Sequence, residues 1–246
     1  CCCPAQLISF TEGREFCRSN FMSGAEISDG ISCRLLLGSD AEAAFAVHCA
    51  ATSHLSNNIV RRESLEFIRE QINDGFVVGG FSGEGDLVAY AVLTVSNSAT
   101  HKVADLLEID PASRKRFCLF DGVAVHPKWQ FRGIHHALIA ERMSYARRLG
   151  RDVIGVTVSP RNFKSLKNLL GTGFLVMQAT LLYGGYERLI LVQNLGSRPE
   201  GGLTRVKAVA LGRFEESVEA LRSGLCGFEI SWNEQGQAIM HYGSRS

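Results

Sequence analysis

The run Phe120-Asp121-Gly122-Val123-Ala124-Val125-His126-Pro127 narrows the choice of fold more than any other part of this 246-residue chain. Val123 and Val125 close a short apolar run that begins near Cys118 and reads as a strand. Pro127 ends it, because proline brings no N–H to a ladder. Lys128-Trp129-Gln130-Phe131-Arg132-Gly133 is a tight polar loop. Beyond it Ile134, Ala137, Leu138, Tyr145 and Leu149 recur at helical spacing, which predicts a helix with one buried face that Gly150 stops.

A glycine at a helix start leaves several backbone N–H groups without intrahelical partners, and the helix dipole adds positive potential where they converge. Gln130, Arg132, His135 and His136 surround that volume with donors, which suits a pyrophosphate. An ordinary strand–loop–helix crossover with solvated basic residues fits the same spacing.

Composition restricts the rest. A formal net charge of +1 gives no electrostatic footprint for nucleic acid. No apolar run approaches the roughly 18–20 residues of a spanning helix, so no membrane partner is expected. The eight cysteines (1, 2, 3, 17, 33, 49, 118 and 226) contain no CxxC pair and read as reduced thiols, which favours the cytoplasm. No metal site is expected, since His48 and His54 lack a partner at ligand spacing and the loop turns between His126, His135 and His136.

Taken in order, residues 1–30 read as a loosely structured arm with a short helix around Gly13–Ser19. Residues 31–196 form the main domain. Cys33–Leu37 is its first strand, followed by helices from Ala41 to about Thr52 and from Arg62 to Asn73. Phe76–Phe81 and Leu87–Val95 form a hairpin, and Ser96–Arg116 is polar and irregular. Val153–Val158 should lie beside the strand that ends at Val125. Leu175–Leu182 and Glu187–Leu195 are two closing strands. Gly196–Gly202 is a linker, and residues 203–243 make a β-α-β-β appendage. At about 40 residues it is marginal alone and should pack on the main domain or on a second subunit, which would make a homodimer. No internal repeat is evident.

Two stretches carry a family resemblance. Val125-His126-Pro127 followed by Gln130-Phe131-Arg132-Gly133-Ile134-His135 resembles the acetyl-CoA-binding segment of the GNAT superfamily of N-acetyltransferases, a V-x-P and then [R/Q]-x-x-G-x-[G/A]. His135 stands where Gly or Ala is usual, and Phe131 where another glycine is common. Asn162, Ser165, Gly173 and Phe174 match the second signature, N-x-x-[A/S]-x-x-x-Y-x-x-x-G-F, with Leu169 at the tyrosine. The similarity covers roughly Arg34 to Leu195, in the family's order.

The resemblance implies an α/β fold: a mixed, mostly antiparallel twisted sheet with helices on both faces. It also implies an acetyl-CoA-dependent N-acyltransferase that moves an acetyl group to a primary amine of a small molecule or peptide in a ternary complex. The cofactor would be bound by Val123, Val125, Gln130, Phe131, Arg132, Gly133, Ile134, His135, His136, Asn162 and Ser165. An N–H near Val125 would stabilise the oxygen that gains charge. Asp121, placed by period-two alternation on the face of Val123 and Val125, is the candidate base, with Glu108 and Asp110 in reserve. A strand-end aspartate paired with a nearby Lys or Arg is the plain alternative. Leucine at 169 cannot protonate a leaving thiolate, so solvent, Tyr183 or Tyr186 would have to. The Lys/Arg cluster Arg161, Lys164 and Lys167 either touches the cofactor's 3′-phosphate or is a solvated helix face. The competing reading is a catalytically silent CoA-binding or dimerisation module of the same fold.

Overall fold

The computed structural model describes residues 25–28, 30–74, 76–196 and 202–245. The helix expected around Gly13–Ser19 lies outside them. The elements in order are β1 (Ala25–Ser28), β2 (Ile31–Leu35), α1 (Ala41–Thr52), α2 (Leu65–Asp74), β3 (Phe76–Phe81), β4 (Leu87–Thr94), α3 (Ser98–Leu106), α4 (Pro111–Arg114) and β5 (Phe117–Val125). They continue with α5 (Ile134–Arg148), β6 (Val153–Val158), α6 (Phe163–Gly171), β7 (Leu175–Leu182), β8 (Tyr186–Asn194), β9 (Leu203–Ala210), α7 (Phe214–Arg222), β10 (Cys226–Trp232) and β11 (Ala238–Arg245).

All these strands form one sheet in the order β1-β2-β3-β4-β5-β6-β8-β7-β10-β11-β9. Among the described residues β5 and β6 are its parallel pair, and the other neighbours run antiparallel. Period-two alternation sorts the side chains. Ala89, Ala91 and Leu93 of β4 pack with Ile134, Leu138, Ile139 and Met143 of α5, and with Leu166 and Leu169 of α6. Tyr90 and Val92 face the other way, toward Ala44 and Val47 of α1 and Ile68 and Ile72 of α2. Beside them Val103 and Ala104 of α3 cover Phe117, Leu119, Val153 and Ile190. Helices therefore cover both faces of the sheet, as expected from the sequence.

Three expectations need correction. Residues 25–28 are not part of a loose arm but pair as β1 with β2, Ala25 opposite Cys33. The stretch 96–116 is not irregular. Asn97 caps α3 through a 2.8 Å bond from the Thr100 N–H, and Asp110 caps α4 through bonds from Ala112 and Ser113. Polar caps with few apolar residues hid these short helices.

The third correction concerns repetition. The unit β6-α6-β7-β8 recurs as β9-α7-β10-β11, displaced by 51 residues. Val158 pairs with Leu189, and Val209 with Met240. Val176 pairs with Leu191, and Gly227 with Tyr242. The bulge between Val176 and Gln178 returns between Gly227 and Glu229. Both helices end on a glycine at positive φ, Gly173 at +94° and Gly224 at +86°. The second unit joins the sheet where β10 meets β7, Gly227 opposite Val176. Val209, Phe214, Ala220, Met240 and Tyr242 belong to the same buried cluster as Leu138 and Leu189. The C-terminal segment thus packs on the rest of its own chain.

Candidate active site

β5 and β6 are paired from Phe117–Val153 to Phe120–Val156 and then part. Past that point β5 stays with β4 up to Ala89–Val125, while β6 stays with β8 up to Val158–Leu189. The His126 N–H donates to Val88 O at 2.9 Å, so 88/126 is a hydrogen-bonded pair of the antiparallel ladder. By alternation 89/125 and 91/123 are non-bonded pairs, and the N–H and C=O of Val123 and Val125 point away from β4, into the gap. Gln130 Nε2 donates to Val125 O at 3.1 Å, anchoring the loop to the strand end.

The loop leaves the turn before α5 open at Gly133. Gly133 sits at φ +76° just before α5, and an added Cβ there would meet nothing within 4 Å. Phe131 also has positive φ, +65°, but its ring is 86% exposed and carries the Lys164 ammonium 4.5 Å from its centroid. His135 turns to α6, where its Nδ1 lies 2.9 Å from Asn168 Nδ2. Burial, helped by Arg142 and His136, pushes its pKa down to about 3, so it adds no charge to the turn. Arg132 lies over the Trp129 ring at 4.8 Å, and His136 is exposed. Ile134 is buried in the core, so only its backbone faces the turn. Asn162 caps α6 by accepting from the Ser165 N–H at 3.2 Å, which fixes both residues at the end of β6. Arg161, Lys164 and Lys167 are exposed, and Lys167 reaches the Trp232 ring of the second unit at 5.5 Å.

Asp121 is the first residue of β5 past the last parallel pair. It does not share the face of Val123 and Val125 as strict alternation required. The ladder slips there, with Leu93 opposite Phe120 and Ala91 opposite Val123, so a bulge absorbs Asp121 and Gly122. Phe120 and Val123, three residues apart, both pack on the core beneath α5. Arg142, 1% exposed, supports the bulge: its Nη1 donates to Val92 O at 3.2 Å and its guanidinium lies 4.1 Å from the Phe120 ring centroid. Burial lowers its pKa to about 9, opposed by the charge of Asp121.

On the side of α1 and α2 a polar cluster meets Asp121, and motif reading missed it. Burial raises the Asp121 pKa, with Arg61 opposing. Burial also raises Glu63, to about 7, against the pull of Arg61 at 3.3 Å and with a push from Asp121. The Glu63 N–H donates to His48 Nε2 at 2.9 Å, which leaves the proton on Nδ1 to reach Tyr90 Oη at 2.9 Å. Nothing in the spacing of His48, Glu63 and Tyr90 announces this, because three separate elements bring them together. Thr157, one residue past the last β5–β6 pair, lies 3.0 Å from Tyr183 Oη, and burial pushes the pKa of that phenol up. Leu169 is 2% exposed within the core and faces no site. Asp110 is spent on its cap and Glu108 lines a different cleft, with Met177 and Leu221, so neither reserve base serves the gap.

Among the described residues no three His, Cys, Asp or Glu side chains group as metal ligands. No described helix is long and apolar enough to cross a membrane.

A scan against protein-family profiles finds no match, and a comparison with curated sequences finds none either. Solved structures do match. A putative acetyltransferase, yncA, from Salmonella typhimurium, solved with acetyl-CoA, superposes with a TM-score of 0.53 at 16% identity, over 69% of this chain and 96% of its own. A putative phosphinothricin N-acetyltransferase gives 0.52 at 18%, over 68% and 99%. Ard1 from Thermoplasma volcanium gives 0.52 at 13%, over 69% and 100%. At such identities the likeness speaks for architecture alone, and it agrees with the parted strands and the glycine-led helix: the chain has the fold of these acetyltransferases.

Proposed function

We propose that this protein is an acetyl-CoA-dependent N-acyltransferase acting on a primary amine by direct attack in a ternary complex. The observation that carries this reading is the parting of β5 and β6, which turns the Val123 and Val125 backbone toward a gap that ends at the open turn before α5. In this reading the N–H groups from Gly133 to His136, with Gln130, Phe131 and Arg132, hold the diphosphate. The Val123 and Val125 backbone pairs with the pantetheine amides, and Asn162 and Ser165 flank the arm from the end of β6. When bound, acetyl-CoA supplies an activated acyl thioester.

The chain's own groups do the rest. Asp121 and Glu63, coupled through Arg61, take the proton of the acceptor ammonium, directly or through water. The Val125 N–H donates to the carbonyl oxygen as charge builds on it. A C–N bond forms, the C–S bond breaks, and Tyr183 Oη beside Thr157 holds a proton for the departing thiolate. Tyr183 thereby takes the part that Leu169 cannot. The parts assigned to this chemistry lie within 31–196, and 203–243 supports them from the edge of β7.

Calorimetric titration with acetyl-CoA tests the cofactor half, and release of free CoA with a panel of small amines, polyamines and peptides tests the transfer half. Heat with no thiol release from any acceptor would favour the second reading, a silent CoA-binding module, for which the burial of Leu169 speaks. Absence of both heat and thermal shift would remove both readings.

A further inference from the structure

We propose that the amine acceptor also carries an anionic group, a carboxylate or phosphonate, held by Arg188 and Arg62 in the cavity that Arg61 and Tyr183 help to line. This rests on the acyl-transfer reading above. The cavity, about 350 Å³, lies between the segment joining α1 to α2 and the β7–β8 turn, and is lined by Asn57, Arg61, Arg62, Tyr183, Tyr186 and Arg188. Three guanidinium groups line it, and among the described residues no carboxylate does.

Arg188 is the telling member. It is 4% exposed, on a strand next to the one that holds Thr157. Its Nη1 donates to the backbone carbonyls of Asn58 and Glu187, both at 2.8 Å, and among the described residues it makes no ion pair. The Tyr183 and Tyr186 rings each lie 5.6 Å from its guanidinium carbon. Two π faces and two carbonyls keep the cation charged but do not neutralise it. Arg62 is exposed and donates to the carbonyls of Ser53 and Leu55 at 3.3 Å, and among the described residues it too makes no ion pair. Arg61 differs, since Glu63 balances it at 3.3 Å. An anion entering the cavity would meet guanidinium donors that can grip two of its oxygens together. The same molecule's ammonium would then lie on the side of Asp121 and Glu63.

The test uses the full chain with acetyl-CoA and matched acceptors: α-, β- and γ-amino acids, their amides, and aminoalkylphosphonates, followed by release of free CoA. Expected is a preference for the acids or phosphonates over the neutral amides of at least about tenfold in kcat/KM. The carboxylate and phosphonate arms identify the source of the anion. Arg188→Gln should reduce that preference to about twofold or less while the Kd for acetyl-CoA stays within about twofold. Arg62→Gln gives the same readout should Arg188→Gln fail to fold. Equal rates for acid and amide, or a preference that survives both substitutions, overturn the proposal and leave acyl transfer standing. No heat with acetyl-CoA and no thiol release from any amine would overturn acyl transfer itself, and this proposal with it.

Discussion

The first β-α-β-β unit, residues 153–194, and the second, residues 203–245, share the register of their closing hairpins down to a common bulge, although β9 slips against β11 past Tyr242 where β6 and β8 stay in step, and only the first borders the candidate site. They meet at equivalent positions. Val176 faces Gly227, its own counterpart 51 residues on, as the two copies of a residue face each other across a twofold dimer interface. A second valine would not fit there, since a Cβ on Gly227 would come within 3.0 Å of the Val176 Cβ and the Met240 Sδ. Elsewhere the second unit has other side chains where the first borders the candidate site. Arg188 corresponds to Ile239, Thr157 to Ala208, and Tyr183 to Glu234. The difference teaches that the scaffold alone makes no site. The first unit borders the candidate site because β5 parts from its β6, and among the described residues the second unit has no such neighbour.

If the second unit is structural, damage to it should cost stability and not cofactor affinity. Tyr242, fully buried opposite Lys207 and Gly227, corresponds to Leu191. Tyr242→Ala should destabilise the chain by about 3–5 kcal/mol, the range for emptying a large aromatic site. At 2–4 °C per kcal/mol in a chain of this size, the melting point should fall by about 10 °C. Scanning calorimetry should show one transition, because both units share one buried cluster. Two separate transitions would break the comparison.

The converse holds at the site. Glu63→Gln should lower turnover about 100-fold, the modest end for loss of a general base, with acetyl-CoA affinity unchanged. The sign of the pH dependence follows from the raised pKa of Glu63, about 7. Only its ionised form can accept a proton, so kcat/KM should rise as pH increases through about 7 and level above it. In Glu63→Gln that acidic limb should move to whatever Asp121 alone sets. Asp121→Asn should likewise slow turnover without weakening acetyl-CoA binding. A pH profile identical to that of the unmodified protein would remove Glu63 from the role.

How far this was legible in the sequence varies with the range of the interaction. The strand–proline–glycine–helix run and the Asn162 signature are local and named the fold. The repeat was not legible. Val158/Val209, Phe163/Phe214, Leu170/Leu221, Gly173/Gly224 and Gly185/Gly236 are too few identities to stand out, although they fix a strand, a helix and two turns. The bulge at Asp121 was hidden because one extra residue reverses alternation without changing composition. His48, Glu63, Tyr90 and Arg188 come together only through tertiary packing, so no spacing within one element could reveal them.

The paired glycines sharpen the comparison at smaller cost. Both end a helix in the left-handed region, where a Cβ costs roughly 1–2 kcal/mol. At Gly224 an added Cβ meets nothing within 4 Å, so Gly224→Ala should show that cost alone. At Gly173 it meets Gln193 Nε2 at 3.1 Å, and that nitrogen already donates to Thr172 O at 2.9 Å. Moving it endangers a bond worth about 1 kcal/mol, so Gly173→Ala should cost more than its counterpart by about that amount. Denaturant midpoints of the two variants give the difference directly.

The smallest expected effect separates the two helix starts. Asn162 and Arg213 are equivalent, and the N–H groups of both donate to the residue three back, Ser159 at 2.9 Å and Ala210 at 2.8 Å. Only Asn162 caps its helix with a side-chain oxygen; Arg213 instead pairs with Glu216 at 2.8 Å on an exposed surface. Asn162→Ala should therefore cost about 1 kcal/mol, whereas Arg213→Ala should stay within about 0.5 kcal/mol, the usual worth of an exposed pair. Arg213→Asn should return most of a cap to the second helix, since a cap substitution acts locally and the backbone there already matches. A gain in denaturant midpoint for Arg213→Asn would show that the second unit keeps the first unit's backbone while lacking its side chain. No gain would mean that the register survives but the entry angle into the helix does not, and the likeness of the two units would then stop at their strands.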